Sequence, residues 1–125
     1  MDNASNTILV IDDSTTNVVL LEAVLMNKGY TIDKAMNVKE AYEVMQKRLP
    51  RLILLDLLMP RINGFEFLQQ LKSNQQYKDI PVIVVSALTD EETIQKTYQL
   101  GAQYFIKKPV DINQLIEIVG QTVHA

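Results

Sequence analysis

The feature that most constrains the fold is an apolar run that ends in an acid, Leu52–Asp56. Four consecutive apolar residues predict a strand buried on both faces, because a half-exposed strand would alternate apolar and polar residues. Open α/β sheets bind ligands at the carboxyl ends of their strands, but an acid there can also cap the next helix. Asp56 is a candidate for either role, and the neighbouring strands decide between them.

Four other apolar segments also predict strands, and a segment with helical periodicity follows each of the five. The predicted strands are Thr7–Ile11, Tyr30–Ala35, Leu52–Asp56, Val82–Val85 and Tyr104–Ile106. Such alternation predicts a parallel sheet, because right-handed crossovers place helices on both of its faces. We expect one doubly wound α/β domain over residues 7–123, with five parallel strands and five helices, after a disordered arm over residues 1–6. The more polar second strand is expected near an edge.

Capping residues predict where the helices begin and end. The predicted N-caps are Ser14, Asn37, Asp111 and, for the fourth helix, Asp90 or Thr89. Their side-chain oxygens can accept hydrogen bonds from backbone N–H groups of the first turn. Gly29 and Gly101 follow the first and fourth helices, where glycine is typical of the C′ position.

The composition excludes several classes of protein. With 125 residues, 47% of them apolar and 22% charged, and a net charge of −3, the chain lacks the basic surface that nucleic-acid binding needs. It has no cysteine, which rules out disulfides and thiolate metal sites and fits a reducing compartment. No segment has the features of a signal peptide or approaches the roughly 20 apolar residues that span a bilayer. We expect a cytoplasmic protein without a membrane or nucleic-acid partner.

Residues that can carry chemistry lie at the ends of four predicted strands. They are Asp12 and Asp13 after the first strand, Asp56 in the third, Ser86 after the fourth, and Lys107 and Lys108 after the fifth. Parallel strands place their carboxyl ends at one edge of the sheet, so these side chains should converge there. Each acid or hydroxyl alone is better explained as a cap, but capping does not explain a lysine and a proline after a buried strand. The set as a whole favours a functional site.

The chemistry of this cluster points to phosphoryl transfer. Three neighbouring carboxylates require a counter-charge, and oxygen ligands without histidine or cysteine suit Mg²⁺. A metal, a lysine and a hydroxyl around a carboxylate can stabilise the charge of a transferring phosphoryl group. Asp56 is the predicted nucleophile because it ends the most apolar strand and should lie centrally. Its attack on phosphorus would give an acyl phosphate.

This ordered set of residues resembles the receiver domain of response regulators in two-component signalling. The resemblance rests on Asp12-Asp13, Asp56 with the following Met59-Pro60 and Gly64, Ser86-Ala87, and Lys108-Pro109. It covers about residues 7–123 and implies a flavodoxin-like (βα)5 fold. It also implies that Asp56 accepts a phosphoryl group from a histidine kinase or a histidine phosphotransfer protein. The domain would then be regulatory rather than an enzyme, although it would assist its own phosphorylation and dephosphorylation.

The resemblance implies a Mg²⁺ site with defined ligands. Asp13, Asp56 and the backbone carbonyl of Leu58 would bind the ion directly, and Asp12 would hold a metal-bound water. Two positions would also affect the lifetime of the phosphoryl group, and here both are leucine, Leu58 and Leu88. Neither side chain can orient a water molecule, so slow self-dephosphorylation is expected.

The remaining residues of the motif would contact the phosphoryl group or shape its surroundings. Lys108 would pair with the phosphoryl oxygens, and its peptide bond to Pro109 would be cis. Ser86 would donate a hydrogen bond to the phosphoryl group, and the small Ala87 would leave room for it. Gly64 is expected to relieve the backbone of the loop.

The resemblance also implies an output surface formed by the fourth helix, the fifth strand and the fifth helix. Phosphorylation adds about −1.5 to −2 charges, which would draw Ser86 inward and let Phe105 follow. The family often has tyrosine where this chain has Phe105, so a phenol hydrogen bond from that position is lost. By strand alternation, Tyr104 should point to the opposite face. An effector or a second copy of the chain could bind this surface, with Ile118 contributing; simple packing of Ile118 on the sheet is the alternative.

Three other interpretations remain. An aspartyl phosphatase would usually carry a second acid two residues after its nucleophile, where this chain has Leu58, and it would need a longer chain for a cap. A flavodoxin-like binding module would need a phosphate loop after the first strand, where Asp12 and Asp13 would repel phosphate. A pseudo-receiver would act without phosphorylation, but the presence of the full motif weakens that interpretation.

Overall fold

The computed structural model describes residues 6–57 and 63–124. The predicted parallel sheet is confirmed. Its strands are β1 (Thr7–Ile11), β2 (Thr31–Ala35), β3 (Leu52–Asp56), β4 (Val82–Ser86) and β5 (Tyr104–Lys107). The helices are α1 (Thr15–Met26), α2 (Val38–Lys47), α3 (Gly64–Ser73), α4 (Glu91–Gln99) and α5 (Ile112–Val123). The predicted disordered arm, residues 1–6, lies outside the described residues except for Asn6.

The strand order places the acid-bearing strands in the middle of the sheet. The order is β2-β1-β3-β4-β5, and every neighbouring pair is parallel. The central position predicted for Asp56 is therefore confirmed, since β3 is the middle strand. The polar strand β2 forms one edge, also as predicted, and β5 forms the other. All five carboxyl ends lie on the same side of the sheet.

Two apolar layers cover the sheet. Residues of α2 and α3 pack with Leu9 and Ile53 on one face, whereas residues of α1 and α5 pack with Ile8 and Leu54 on the other. This alternation follows from the period of two along a strand. It also separates Phe105, which packs on the α2 and α3 face, from Tyr104 on the opposite face. The predicted opposite orientation of these two aromatic side chains is confirmed.

Side-chain capping accounts for the helix starts. The side chains of Ser14, Asn37, Asp90 and Asp111 each accept a hydrogen bond from a backbone N–H in the first turn of the helix that follows. The choice between Asp90 and Thr89 is thus resolved in favour of Asp90. Asn63 caps α3 by accepting from Phe65 and Glu66, and this cap was not predicted.

One of the two predicted C′ glycines is confirmed, and the other is wrong. Gly101 directly follows the C-cap Leu100 and has a φ of 107°, as expected for a C′ glycine. Gly29 has a φ of 95°, but it lies two residues after the C-cap Asn27, so its prediction as C′ is wrong. The backbone N–H of Gly29 donates to Met26, which prolongs the end of α1 by one tight turn.

Candidate functional site

The carboxyl ends of four strands bring the predicted site residues to one edge of the sheet. Asp12 and Asp13 directly follow β1, Asp56 is the last residue of β3, Ser86 is the last residue of β4, and Lys108 directly follows β5. Asp12 and Asp56 are only 3% and 5% exposed, and Ser86 is fully buried. Burying polar groups in this way costs free energy of folding unless each group has a hydrogen-bond or ion-pair partner.

The three aspartates form a compact group of oxygen ligands. One carboxylate oxygen from each of Asp12, Asp13 and Asp56 lies within 4.8 Å of the others, and Asp13 is the most exposed of the three. Like charges at this spacing repel, and a hard cation bound between them would relieve that repulsion. The donor set therefore fits Mg²⁺, as the sequence predicts.

Lys108 provides the positive charge beside the aspartates. Its Nζ atom lies 3.4 Å from Oδ2 of Asp56 and 3.7 Å from Oδ2 of Asp12. Lys107 is exposed at the end of β5, so the two adjacent lysines have different surroundings. The peptide bond between Lys108 and Pro109 is cis, which is the form that the resemblance implies.

The groups around Asp12 shift the pKa of its carboxyl. Burial raises the pKa of the Asp12 carboxyl, and the neighbouring charge of Asp56 raises it further. A hydrogen bond from the backbone N–H of Ser14, at 2.9 Å, and the ammonium of Lys108 act in the opposite direction. The ionised form of Asp12 is therefore destabilised, and a cation bound beside it would stabilise it.

Ser86 connects the site to the start of α4. Its Oγ atom accepts a hydrogen bond of 3.0 Å from the backbone N–H of Leu88. That bond uses an oxygen lone pair and leaves the hydroxyl proton available for a second partner. Ala87 and Leu88 are exposed, so the segment after β4 lies at the surface of the site.

The surroundings of Gly64 agree with the expectation that it relieves the backbone of the loop. A Cβ atom at this position would lie 2.8 Å from Cα of Leu57 and 3.0 Å from its carbonyl oxygen. Its φ is not in the left-handed region, which among the described glycines only Gly29 and Gly101 adopt. The first residue of α3 thus packs directly on the backbone that follows Asp56, and space rather than backbone freedom requires glycine here.

One contact within the predicted output surface was not predicted from the sequence. Phe105 is half-buried on β5, and its backbone N–H donates a hydrogen bond of 3.1 Å to the hydroxyl of Tyr98 on α4. No motif marks Tyr98, because its role depends on how α4 lies against an edge strand. The predictions that involve Leu58, Met59 and Pro60 lie outside the described residues.

The sequence over residues 8–120 matches the family model described as the response regulator receiver domain. The chain belongs to this family. It is a receiver domain of two-component signalling, and receiver domains of response regulators are regulatory. The fold and the family expected from the sequence are thus confirmed.

Related proteins carry this domain both nearly alone and within longer chains. The receiver domain is 32% identical over 113 residues to the response regulator Rre1 of Synechocystis, which covers 90% of this chain and 49% of Rre1. It is also 32% identical over 113 residues to protein PilH of Pseudomonas aeruginosa, covering 90% of this chain and 93% of PilH. The chain therefore spans about half of one relative and most of the other.

Solved structures have the same fold. The chemotaxis protein CheY4 of Vibrio cholerae superposes with a TM-score of 0.86 at 28% identity, covering 93% of this chain and 97% of that one. The receiver domain of NtrX from Brucella abortus gives a TM-score of 0.86 at 28% identity, covering 94% and 98% respectively. In the described part of the receiver domain, every helix is too short or too polar to cross a lipid bilayer. The cytoplasmic location expected from the sequence stays a prediction.

Proposed function

We propose that this receiver domain accepts a phosphoryl group on Asp56, in a Mg²⁺-dependent reaction, from a histidine kinase or a histidine phosphotransfer protein. A carboxylate oxygen of Asp56 attacks phosphorus, the bond from phosphorus to the donor nitrogen breaks, and an acyl phosphate forms. The observation that carries this proposal is the position of Lys108 Nζ, 3.4 Å from Asp56 Oδ2, within the cluster of three aspartates.

The aspartates are the groups that would hold the metal ion. Asp13 and Asp56 would ligate Mg²⁺, together with the carbonyl of Leu58 that the family resemblance implies, and Asp12 would hold a metal-bound water. Bound there, the ion supplies positive charge to the phosphoryl oxygens. The compact oxygen donor set supports this assignment.

The chain's own residues would supply the remaining stabilisation. The Lys108 ammonium lies close enough to Asp56 to pair with an oxygen of a phosphoryl group attached there. The Ser86 hydroxyl retains a proton that it can donate to a second oxygen while it accepts from Leu88. Ala87 adds no bulk beside it. Slow loss of the phosphoryl group, expected from Leu58 and Leu88, stays a prediction.

The surface beside the site supports a protein as donor. A mostly apolar depression of about 210 Å³ adjoins Lys108 and is lined by Asp12, Asn17, Leu20, Leu21, Val85, Lys108, Pro109 and Val110. On α1 beside it, Val19 and Leu20 are 56% and 48% exposed. Exposed apolar residues next to a reactive group are typical of a protein contact surface, so a histidine-bearing helix could pack here while its imidazole faces Asp56. The output surface of α4, β5 and α5 would contact an effector or a second copy.

The proposal predicts that Asp56 is the acceptor. Incubation with acetyl phosphate and Mg²⁺ is expected to add one phosphoryl group to the wild type, measured by intact mass, and none to Asp56→Asn. Asp79→Asn is the matched control, because Asp79 is an exposed aspartate before β4, at the opposite end of the sheet. Uptake by Asp56→Asn equal to that of the control would contradict the assignment. No uptake by folded wild type, either from acetyl phosphate or from a histidine phosphotransfer protein, would favour a pseudo-receiver.

A second prediction concerns metal binding. Because Mg²⁺ would bind only the assembled cluster, an ion concentration one hundred times the dissociation constant should raise the free energy of unfolding by about 2.7 kcal/mol. Urea denaturation with and without Mg²⁺ measures this gain. Asp13→Asn is expected to lose most of it, whereas Asp79→Asn should retain it. Equal gains in the two variants would show that Mg²⁺ does not bind at the cluster.

A further inference from the structure

The position of α4 depends on few buried contacts. Of its nine residues, all of which the structure describes, only Thr97 is buried. By comparison, α1 and α5 each bury three apolar side chains against the sheet. A helix with so little apolar burial is held mainly by individual polar and aromatic contacts. When one of these contacts is lost, the helix can shift at a small cost in free energy.

Within the described parts of the chain, two such contacts hold the carboxyl-terminal half of α4. The ammonium of Lys96 lies 4.4 Å from the centre of the Phe65 ring on α3, a cation–π contact. The hydroxyl of Tyr98 accepts the hydrogen bond from the backbone N–H of Phe105 at 3.1 Å. Because β5 is an edge strand, no strand among the described residues lies on the outer side of its backbone. Tyr98 thus takes the place of a strand at that amide.

The amino-terminal end of α4 is tied to the aspartate site. The segment from Ser86 to the N-cap Asp90 is short, and the backbone N–H of Leu88 within it donates to Ser86 Oγ. A movement of the Ser86 hydroxyl towards a phosphoryl group on Asp56 would pull on Leu88 and therefore on the start of α4. The same helix is anchored to β5 at its other end by Tyr98, so the two hydrogen bonds are mechanically linked.

We propose that the hydrogen bond from the Phe105 amide to the Tyr98 hydroxyl is a latch that holds α4 in its resting position and opens when Asp56 is phosphorylated. This inference rests on the proposed function, because phosphorylation is its trigger. Phe105 itself carries no hydroxyl, and the phenol of this region comes from α4 instead. Tyr98 acts through α4 and is a positioning residue. Opening the latch would free the Phe105 amide and the Tyr98 side chain, already 46% exposed, for a partner.

The latch can first be measured in the resting protein. Tyr98→Phe removes only the hydroxyl and is expected to speed hydrogen exchange of the Phe105 amide, followed by NMR, about fivefold. Tyr104→Phe is the control, since Tyr104 lies on the same strand and its hydroxyl makes no hydrogen bond within the described residues. Equal exchange of the Phe105 amide in the two variants would overturn the proposal.

The coupling to the site is measured with acetyl phosphate and Mg²⁺. Phosphorylated wild type should exchange its Phe105 amide at the rate of resting Tyr98→Phe, and phosphorylation should not speed that variant further. Tyr98→Phe should also take up the phosphoryl group up to about fivefold faster, because it lacks a contact specific to the resting state. If the contact only supported the structure, Tyr98→Phe and Tyr104→Phe would take up the phosphoryl group at the same rate.

The outcomes separate the two proposals. Wild type that carries a phosphoryl group by intact mass but still protects its Phe105 amide overturns the latch and leaves the proposed function standing. Wild type that takes up no phosphoryl group overturns the proposed function, and with it the trigger of the latch.

Discussion

Lys108→Ala is expected to slow phosphorylation of Asp56 by about 100- to 1,000-fold, the range found when one group that stabilises a developing negative charge is removed. Lys108 Nζ lies 3.4 Å from Asp56 Oδ2 and is partly buried, so water would replace it poorly. Its removal leaves the incoming phosphoryl oxygens and the aspartates without that positive charge. The rate is measured by intact mass over time at fixed acetyl phosphate and Mg²⁺.

Lys107→Ala is the matched control for this prediction. Lys107 is the adjacent residue and carries the same charge, but it is exposed at the end of β5. Its replacement should change the rate less than about twofold, because exposed charges interact weakly through water. Similar losses in the two variants would mean that net charge near the site, rather than the position of the Lys108 ammonium, drives the reaction. Thermal unfolding of both variants verifies that each is folded.

Gly64→Ala is expected to lower the free energy of unfolding by about 1–3 kcal/mol, the usual cost of forcing an extra methyl group into packed structure. The new Cβ would lie 2.8 Å from Cα of Leu57, so backbone atoms rather than a flexible side chain would have to move. Leu57 directly follows Asp56, and the shift should therefore also slow phosphorylation. Urea denaturation measures the stability, and intact mass measures the rate.

Gly120→Ala is the control, and it should have the opposite effect. Gly120 lies within α5, and the nearest atom that its added Cβ would meet among the described residues is the Tyr30 hydroxyl, at 4.0 Å. Alanine there should stabilise the protein by about 0.5–1 kcal/mol, because glycine disfavours a helix interior. If both replacements changed stability equally, the close approach at Leu57 would not be the cause.

The site was predictable because its residues lie at the ends of strands. An acid after a buried apolar run, repeated on parallel strands, must reach the same edge of the sheet whatever the details of packing. This is why Asp12, Asp13, Asp56, Ser86 and Lys108 could be grouped from the sequence. The alternation of side chains along a strand also predicted that Tyr104 and Phe105 point to opposite faces of the sheet. Such predictions depend on local patterns and on the general geometry of parallel sheets.

Contacts between elements were not predictable in the same way. The bond from Phe105 to Tyr98 depends on where α4 lies against β5, and no local pattern determines that position. The closeness of Gly64 to Leu57 likewise depends on how α3 approaches the end of β3. Gly29 was misplaced by one residue because a helix end can add a tight turn without a sequence signal. The alternation of side chains along a strand could not by itself assign separate roles to Lys107 and Lys108.

The strand order has a consequence for measuring folding. Asp56 ends β3 and Lys108 follows β5, and these strands are separated by β4 in the sheet and by α3, β4 and α4 in the chain. No contiguous fragment shorter than most of the domain contains both, together with Asp12. Phosphoryl uptake would therefore count molecules with an assembled site, and a time course of uptake during refolding would report when β1, β3 and β5 have come together in the sheet.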